Sequence, residues 1–260
     1  NFSVTIFAGV PTMYWAIINH PEAKDYAKYI KRTLKLSASG GAALPIQVLK
    51  DFKNLFQSPI LEGYGLSETS PVACFNHLNK PHKAGSIGTP VWGVQMDIHS
   101  PEGVSLDNEQ VGEVVIRGHN IMKGYLDQAE ANKEVLKNGW FYTGDLGKKD
   151  KEGYFYIVDR SKDMIIKSGF NIYPREIEEC LATHSKVSLA AVIGIPDVVK
   201  GEEVKAFVVL KDGEVLKAKE LLTYCKKKIA TYKVPKHIVI VSELPMSATG
   251  KILKRELKAQ

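Results

Sequence analysis

Apolar and polar positions along this 260-residue chain follow two periods in turn. Near the start, residues 4–7 form an apolar run that predicts a buried strand, and a helical stretch follows over about 11–18. Residues 35–38 predict another short strand, leading into the loop Ser39-Gly40-Gly41-Ala42-Ala43-Leu44-Pro45. Val48, Leu49, Phe52 and Phe56 then recur at helical spacing and predict a helix over 46–56. From about residue 85 the period shortens to two. Segments 94–99 and 112–117 predict a hairpin across Pro101-Glu102-Gly103, residues 129–136 a short helix, and 153–159 a strand.

A second unit begins after Arg160. Pro174 suits the first turn of a helix, and Ile177, Cys180, Leu181 and His184 fall on one face of it. Segments 187–195, 203–210 and 238–241 predict strands. Ala218, Leu221, Leu222, Cys225 and Ile229 mark an amphipathic helix, and residues 251–257 a final one. Strands and helices mix in both parts, so the predicted class is α/β to α+β. The boundary is expected at 159–163, where strand chemistry gives way to charge.

Composition narrows the class. At 44% hydrophobic and 25% charged residues the chain carries enough apolar material for packed cores. Its apolar runs are far shorter than the roughly 20 residues of a membrane helix, and peripheral membrane contact stays open. Cys74, Cys180 and Cys225 match neither a disulfide framework nor a metal spacing, so a reducing cytoplasm is the expected setting. The net charge of +6 suits a solvated basic face, or attraction of polyanions such as nucleotides. Nucleic acid is not an expected partner, because no reader motif accompanies the charge. The chain starts without Met inside a strand pattern and reads as a fragment.

Four segments carry candidate chemistry. Glu62-Gly63-Tyr64-Gly65-Leu66-Ser67-Glu68-Thr69 opens like a dinucleotide fingerprint, but Glu68 stands where its third glycine belongs. It joins a flat aromatic, glycines, a hydroxyl and a carboxylate, a set suited to a base, a phosphate and Mg²⁺. Trp140-Phe141-Tyr142-Thr143-Gly144-Asp145-Leu146-Gly147 offers a carboxylate in a glycine-bounded turn, able to accept two ribose hydroxyls. Asp159-Arg160-Ser161-Lys162-Asp163 precedes the apolar Met164-Ile165-Ile166, with Arg160 able to engage ribose or phosphate. Leu244-Pro245-Met246-Ser247-Ala248-Thr249-Gly250-Lys251 ends like a phosphate-binding loop but has Pro245 at the upstream glycine position. Taken singly, these also read as an ordinary turn, a turn-capping Asp145, a solvated linker and an exposed lysine.

In combination and in this order, the four segments resemble the adenylate-forming superfamily of acyl-CoA synthetases, luciferases and peptide-synthetase adenylation domains. Asp159–Gly169 followed by Asn171-Ile172-Tyr173-Pro174-Arg175-Glu176-Ile177-Glu178 is most similar to fatty acyl-CoA synthetases. The resemblance implies the C-terminal part of a large adenylation domain over 1–160, with a β-rich subdomain over about 85–158. A small mobile α+β domain over 161–260 follows, with a hinge at Lys162.

The resemblance also implies ATP and AMP, Mg²⁺, coenzyme A and a carboxylic acid as ligands. Gly40, Gly41 and Ala42 with Glu62, Gly63 and Tyr64 correspond to the adenine site. Ser67 corresponds to an α-phosphate contact, Glu68 to the Mg²⁺ ligand, and Asp145 and Arg160 to the ribose ligands. Lys251 matches the lysine of the adenylation step, and Gly169 the loop that passes coenzyme A. The family's Ser/Thr/Gly-rich phosphate loop is absent from this sequence, so the chain is not expected to complete adenylation alone. Exposed strand edges leave oligomerisation open. Other adenylate-forming ligases, for aryl, malonyl or amino acids, and a noncatalytic nucleotide-binding fragment are the competing readings.

Overall fold

The computed structural model describes residues 3–247 and 250–258. The chain divides into two compact units, Asn1–Val158 and Asp159–Gln260.

In the first unit β1 (Ile6–Gly9), α1 (Pro11–Asn19), α2 (Ala23–Thr33), β2 (Leu36–Ser39), α3 (Ile46–Phe56) and β3 (Ile60–Tyr64) follow in order. The three strands pair in parallel, and the helices bury their apolar stripes in one core with Leu34, Leu44 and Ile60. Phe52 meets Tyr14 and Phe56 edge-on at centroid distances of 5.2 and 4.8 Å. The hydroxyl of Tyr14 donates to the carbonyls of Ala38 at 2.6 Å and Phe7 at 3.2 Å, so this fully buried ring keeps its polar end satisfied. Two features depart from the sequence reading. Helix α2 was not expected, because only Ala23 within it is buried. The first strand was expected to be buried, yet Ile6 is 63% exposed, since β1 lies at the edge of its sheet.

The same sheet continues antiparallel through β4 (Cys74–Phe75) and β5 (Thr89–Pro90). A second sheet holds β6 (Val94–His99) and β7 (Gly112–Gly118), then, after α4 (Ala129–Val135), β8 (Leu136–Lys137), β9 (Trp140–Lys149) and β10 (Phe155–Arg160). Its order is β10-β9-β7-β6, with β8 beside β9. Ile98, Val114, Ile116 and Phe155 from this sheet share a core with Cys74 and Ile87.

The second unit is built on β11 (Ile165–Lys167), β12 (Phe170–Ile172), β13 (Val187–Asp197), β14 (Gly201–Leu210) and β15 (His237–Ile240). The order is β12-β11-β14-β13, with β15 also on β14. Strand alternation sends residues to two faces. Val192, Val204, Ala206 and Val208 pack under α5 (Pro174–Ala182) and α6 (Ala218–Lys226). Ala191, Ile193 and Phe207 point the other way, onto Leu244, Leu257 and Ile252. The C-terminal segment is thus fixed to the second face. Its helix, α7 (Lys254–Leu257), begins three residues later than expected and leaves Lys251 outside it. His184 also falls beyond its helix, with its ring edge-on to Tyr224 at 4.8 Å.

Candidate functional site

Two parallel strands of the first unit end side by side. Ser39, the last residue of β2, pairs with Glu62 of β3, and a Cβ on Gly40 would stand 3.5 Å from the carbonyl oxygen of Gly63. Gly41 has φ +78°, which favours glycine, and Gly41 and Ala42 are exposed. The carboxyl ends of parallel strands are where open α/β sheets receive ligands. Gly63 and Gly65 have a packing role here. A Cβ at Gly63 would lie 2.3 Å from the Phe75 ring, and one at Gly65 only 1.8 Å from the Pro71 carbonyl oxygen.

Tyr64, at the end of β3, donates its hydroxyl proton to Oδ2 of Asp145 at 2.7 Å. Asp145 lies in β9, where the sequence suggested a turn. The strand is bulged there: the register of β7 on β9 shifts between Glu113 and Val115, and Gly144 takes φ +72°. The bulge is held by side chains. Gly144 N donates to Glu113 Oε1 at 2.8 Å, Asp145 N to Thr143 Oγ1 at 3.1 Å, and Thr143 Oγ1 to the Val114 carbonyl at 2.8 Å. Asp145 is only 6% exposed, so its carboxylate is held in place by its surroundings.

Beyond Tyr64 the chain forms a single 3₁₀ turn, Ser67–Thr69, with Ser67 exposed and Glu68 half-buried. The dinucleotide reading fails here, because β3 is followed by this turn and no α-helix opens on it. Tyr125, a residue the sequence did not mark, donates its hydroxyl to Glu68 Oε1 at 2.8 Å. Burial and the Glu68 carboxylate push the Tyr125 hydroxyl up from its ordinary range. Asn120, also unmarked, donates its amide to the carbonyls of Thr69 and Val72, both at 3.0 Å.

In the second unit Asp159 is buried and ties the start of the unit to α5. Its Oδ1 accepts from Arg160 N at 2.8 Å and its Oδ2 from Arg175 N at 2.9 Å, in the first turn of α5. Lys162 is exposed on the 3₁₀ turn Ser161–Asp163. Gly169 and Ser168 form the two-residue connection of β11 to β12, with φ +83° and +51°. Two positive φ values are what a tight hairpin requires, so Gly169 has a structural reason to be glycine. Lys251 is exposed in a loop closed by the bridge of Met246 to Ile252. Ser247 N donates to the Lys251 carbonyl at 2.8 Å, and Lys251 N to Ser247 Oγ at 3.1 Å. Ala248 and Thr249 of this motif lie outside the described residues.

Within the first unit the structure therefore brings together the 40–42 loop, Glu62, Gly63, Tyr64 and Asp145, and sets Ser67 and Glu68 on the turn that follows. The AMP-binding enzyme family matches residues 1–126, and its C-terminal domain matches residues 176–251. The chain belongs to the adenylate-forming, AMP-binding enzyme family. Among its relatives in that family is the long-chain-fatty-acid–CoA ligase of Bacillus subtilis (strain 168), 44% identical over 97% of this chain and 45% of the ligase. A feruloyl-CoA synthase of Amycolatopsis sp is 40% identical over 98% of the chain and 51% of the synthase. The crystal structure of ATP-bound MatB from Rhodopseudomonas palustris superposes with a TM-score of 0.92 at 32% identity, over 98% of this chain and 50% of MatB. The chain thus spans about half the length of each of these three proteins. Among the described residues no helix is long and apolar enough to cross a membrane, and no three His, Cys, Asp or Glu side chains gather as metal ligands.

Proposed function

We propose that this chain contributes, as part of a longer protein, to an ATP-dependent, AMP-forming fatty acyl-CoA synthetase. In the first half-reaction the fatty acid carboxylate attacks the α-phosphorus of ATP, giving acyl-AMP and pyrophosphate. In the second the thiol of coenzyme A attacks the acyl carbon, and AMP leaves as the thioester forms. The observation that carries this reading is the Tyr64–Asp145 hydrogen bond, which unites two distant segments beside the bare backbone at the ends of β2 and β3.

On this reading Gly40, Gly41, Ala42, Glu62, Gly63 and Tyr64 line the adenine, with the tyrosine ring on the base. Asp145 and Arg160 take the ribose hydroxyls, a carboxylate and a planar fork suited to adjacent O–H groups. Ser67 contacts the α-phosphate. Glu68 would hold the Mg²⁺ of the nucleotide, which would neutralise phosphate charge. A half-buried carboxylate such as Glu68 fits an ion that keeps its waters and phosphate oxygens and takes one or two protein carboxylates. Lys251 supplies a point charge to the α-phosphate and carboxylate as negative charge builds. The second unit is the mobile domain, Lys162 its hinge, and Gly169 lines the path of coenzyme A in the thioester step. A reducing cytoplasm suits the three buried, unbridged cysteines.

An aryl acid is the second reading, favoured by the likeness to a feruloyl-CoA synthase. Pyrophosphate release by the full-length protein, with acids from acetate to palmitate and ferulate, with and without coenzyme A, decides between them. A maximum at a medium or long alkyl chain supports the fatty acid reading. A maximum at ferulate replaces it with the aryl one, and no release with any acid overturns both.

A further inference from the structure

The Ser168-Gly169 turn is carried by a slight element. Strands β11 and β12 have three residues each, β12 is an edge strand, and β11 meets β14 at the single pair Lys167–Gly201. Backbone and side chain both fix the hairpin. Ile166 N donates to Glu202 Oε2 at 2.7 Å, and Ser168 N to the Lys200 carbonyl at 2.8 Å. Next to Glu202 in β14 stands Glu203, whose side chain is 1% exposed. Its Oε2 stands 2.8 Å from Lys167 Nζ and its Oε1 2.6 Å from Lys200 Nζ.

A carboxylate this deep costs free energy unless it is paired, and removing one partner leaves the other charge buried and uncompensated. Lys167 sits directly before the turn and faces Phe170 across it. Lys200 precedes Gly201 at the start of β14. One buried carboxylate therefore ties the turn to the rigid long strand of the unit. Its polar partners among the described residues are Lys167, Lys200 and the backbone N–H of Val204, so the role argued here is exerted through the hairpin.

We infer that Glu203 is a positioning residue for the thioester half-reaction, holding the Ser168-Gly169 turn through Lys167 and Lys200. The inference rests on the reading of Gly169 as part of the coenzyme A path. It assigns Glu203 no part in adenylation.

The test is Glu203→Gln in the full-length enzyme, a change that keeps shape and removes charge. Adenylation is read as pyrophosphate release in a single turnover without coenzyme A, and thioester formation as transfer from preformed acyl-adenylate over a range of coenzyme A concentrations. The expected result is adenylation within about twofold of the parent and kcat/KM for coenzyme A reduced about tenfold or more, since small displacements of positioning groups cost that much. The double variant Lys167→Met with Glu203→Leu, which leaves neither member of that pair buried alone, is expected to recover part of the loss. Equal losses in both half-reactions, or no loss in either, overturn the inference. Should Glu203→Gln not fold, Lys167→Met alone serves the same test with the same outcomes, because Lys200 still neutralises the carboxylate. A parent enzyme that forms no thioester with any acid refutes the proposed function itself and is distinguishable from both results.

Discussion

The hydroxyl of Tyr64 donates a 2.7 Å hydrogen bond to Oδ2 of Asp145, linking residues 81 positions apart in the chain. The bond fixes the ring at the end of β3 and gives a buried carboxylate oxygen a donor. Removing it touches both at once. Tyr64→Phe keeps the ring and deletes the donor to a buried carboxylate, so the expected stability loss is about 1.5–3 kcal/mol. The KM for ATP is expected to rise about tenfold, a coupling of about 1.4 kcal/mol, while the KM for the acid changes little. Steady-state kinetics with each substrate varied in turn checks this. An unchanged ATP KM shows that the Tyr64–Asp145 hydrogen bond plays no part in holding the nucleotide.

Lys251 gives a different expectation, because it is exposed in a short loop. Lys251→Ala is expected to leave the melting temperature unchanged and to slow pyrophosphate release by about two orders of magnitude or more. Thioester formation from preformed acyl-adenylate is expected to survive. Release at the parental rate removes the lysine from adenylation.

How much of this was legible in the sequence depended on where each signal came from. Helix α3 was readable because Val48, Leu49, Phe52 and Phe56 are all buried at helical spacing, so pattern and packing agree. Helix α2 was not, since Tyr26 and Tyr29 are 56% and 39% exposed and the helix lends the core little more than Ala23, Ala27 and Ile30. Strand β9 read as a turn because Gly144 and Gly147 interrupt it. One serves the bulge, and the other is needed because a Cβ there would lie 2.7 Å from the Tyr156 carbonyl oxygen. The candidate residues were visible through motif spacing. Their supports were not, because Tyr125 meets Glu68 across 57 residues, a contact that only the tertiary fold creates.

Acid sensitivity follows from Asp150. Burial raises its pKa, but Lys83 at 2.6 Å, the backbone N–H groups of Tyr154 and Glu152, and the Tyr156 hydroxyl outweigh that and hold it at about 2. A carboxyl depressed in the folded state contributes stability above its unfolded value of about 4 and loses it as pH falls toward 2. Asp150→Asn is therefore expected to lower the melting temperature at pH 7. The gap from the parent is expected to close as pH falls from about 4 to about 2. Melting curves across that range check the sign, and a gap that widens on acidification contradicts it.

Gly169 has two readings that one substitution separates. As a hairpin residue it needs only φ +83°, and a Cβ there meets nothing within 4 Å in this structure. Asparagine enters that region of φ more readily than other side chains. Gly169→Asn is thus expected to keep the turn, with a melting temperature within a few degrees of the parent. If the pantetheine arm of coenzyme A runs along this backbone, the added side chain stands in its way. Thioester formation then falls about tenfold, the scale of a small misplacement at a reacting site, while pyrophosphate release without coenzyme A holds. Gly169→Ala, smaller but less suited to positive φ, orders the two causes: a worse fold with better transfer than Asn means obstruction, and worse on both counts means strain. Parental transfer rates in Gly169→Asn leave Gly169 as a turn residue alone, and the coenzyme A path must then be sought elsewhere.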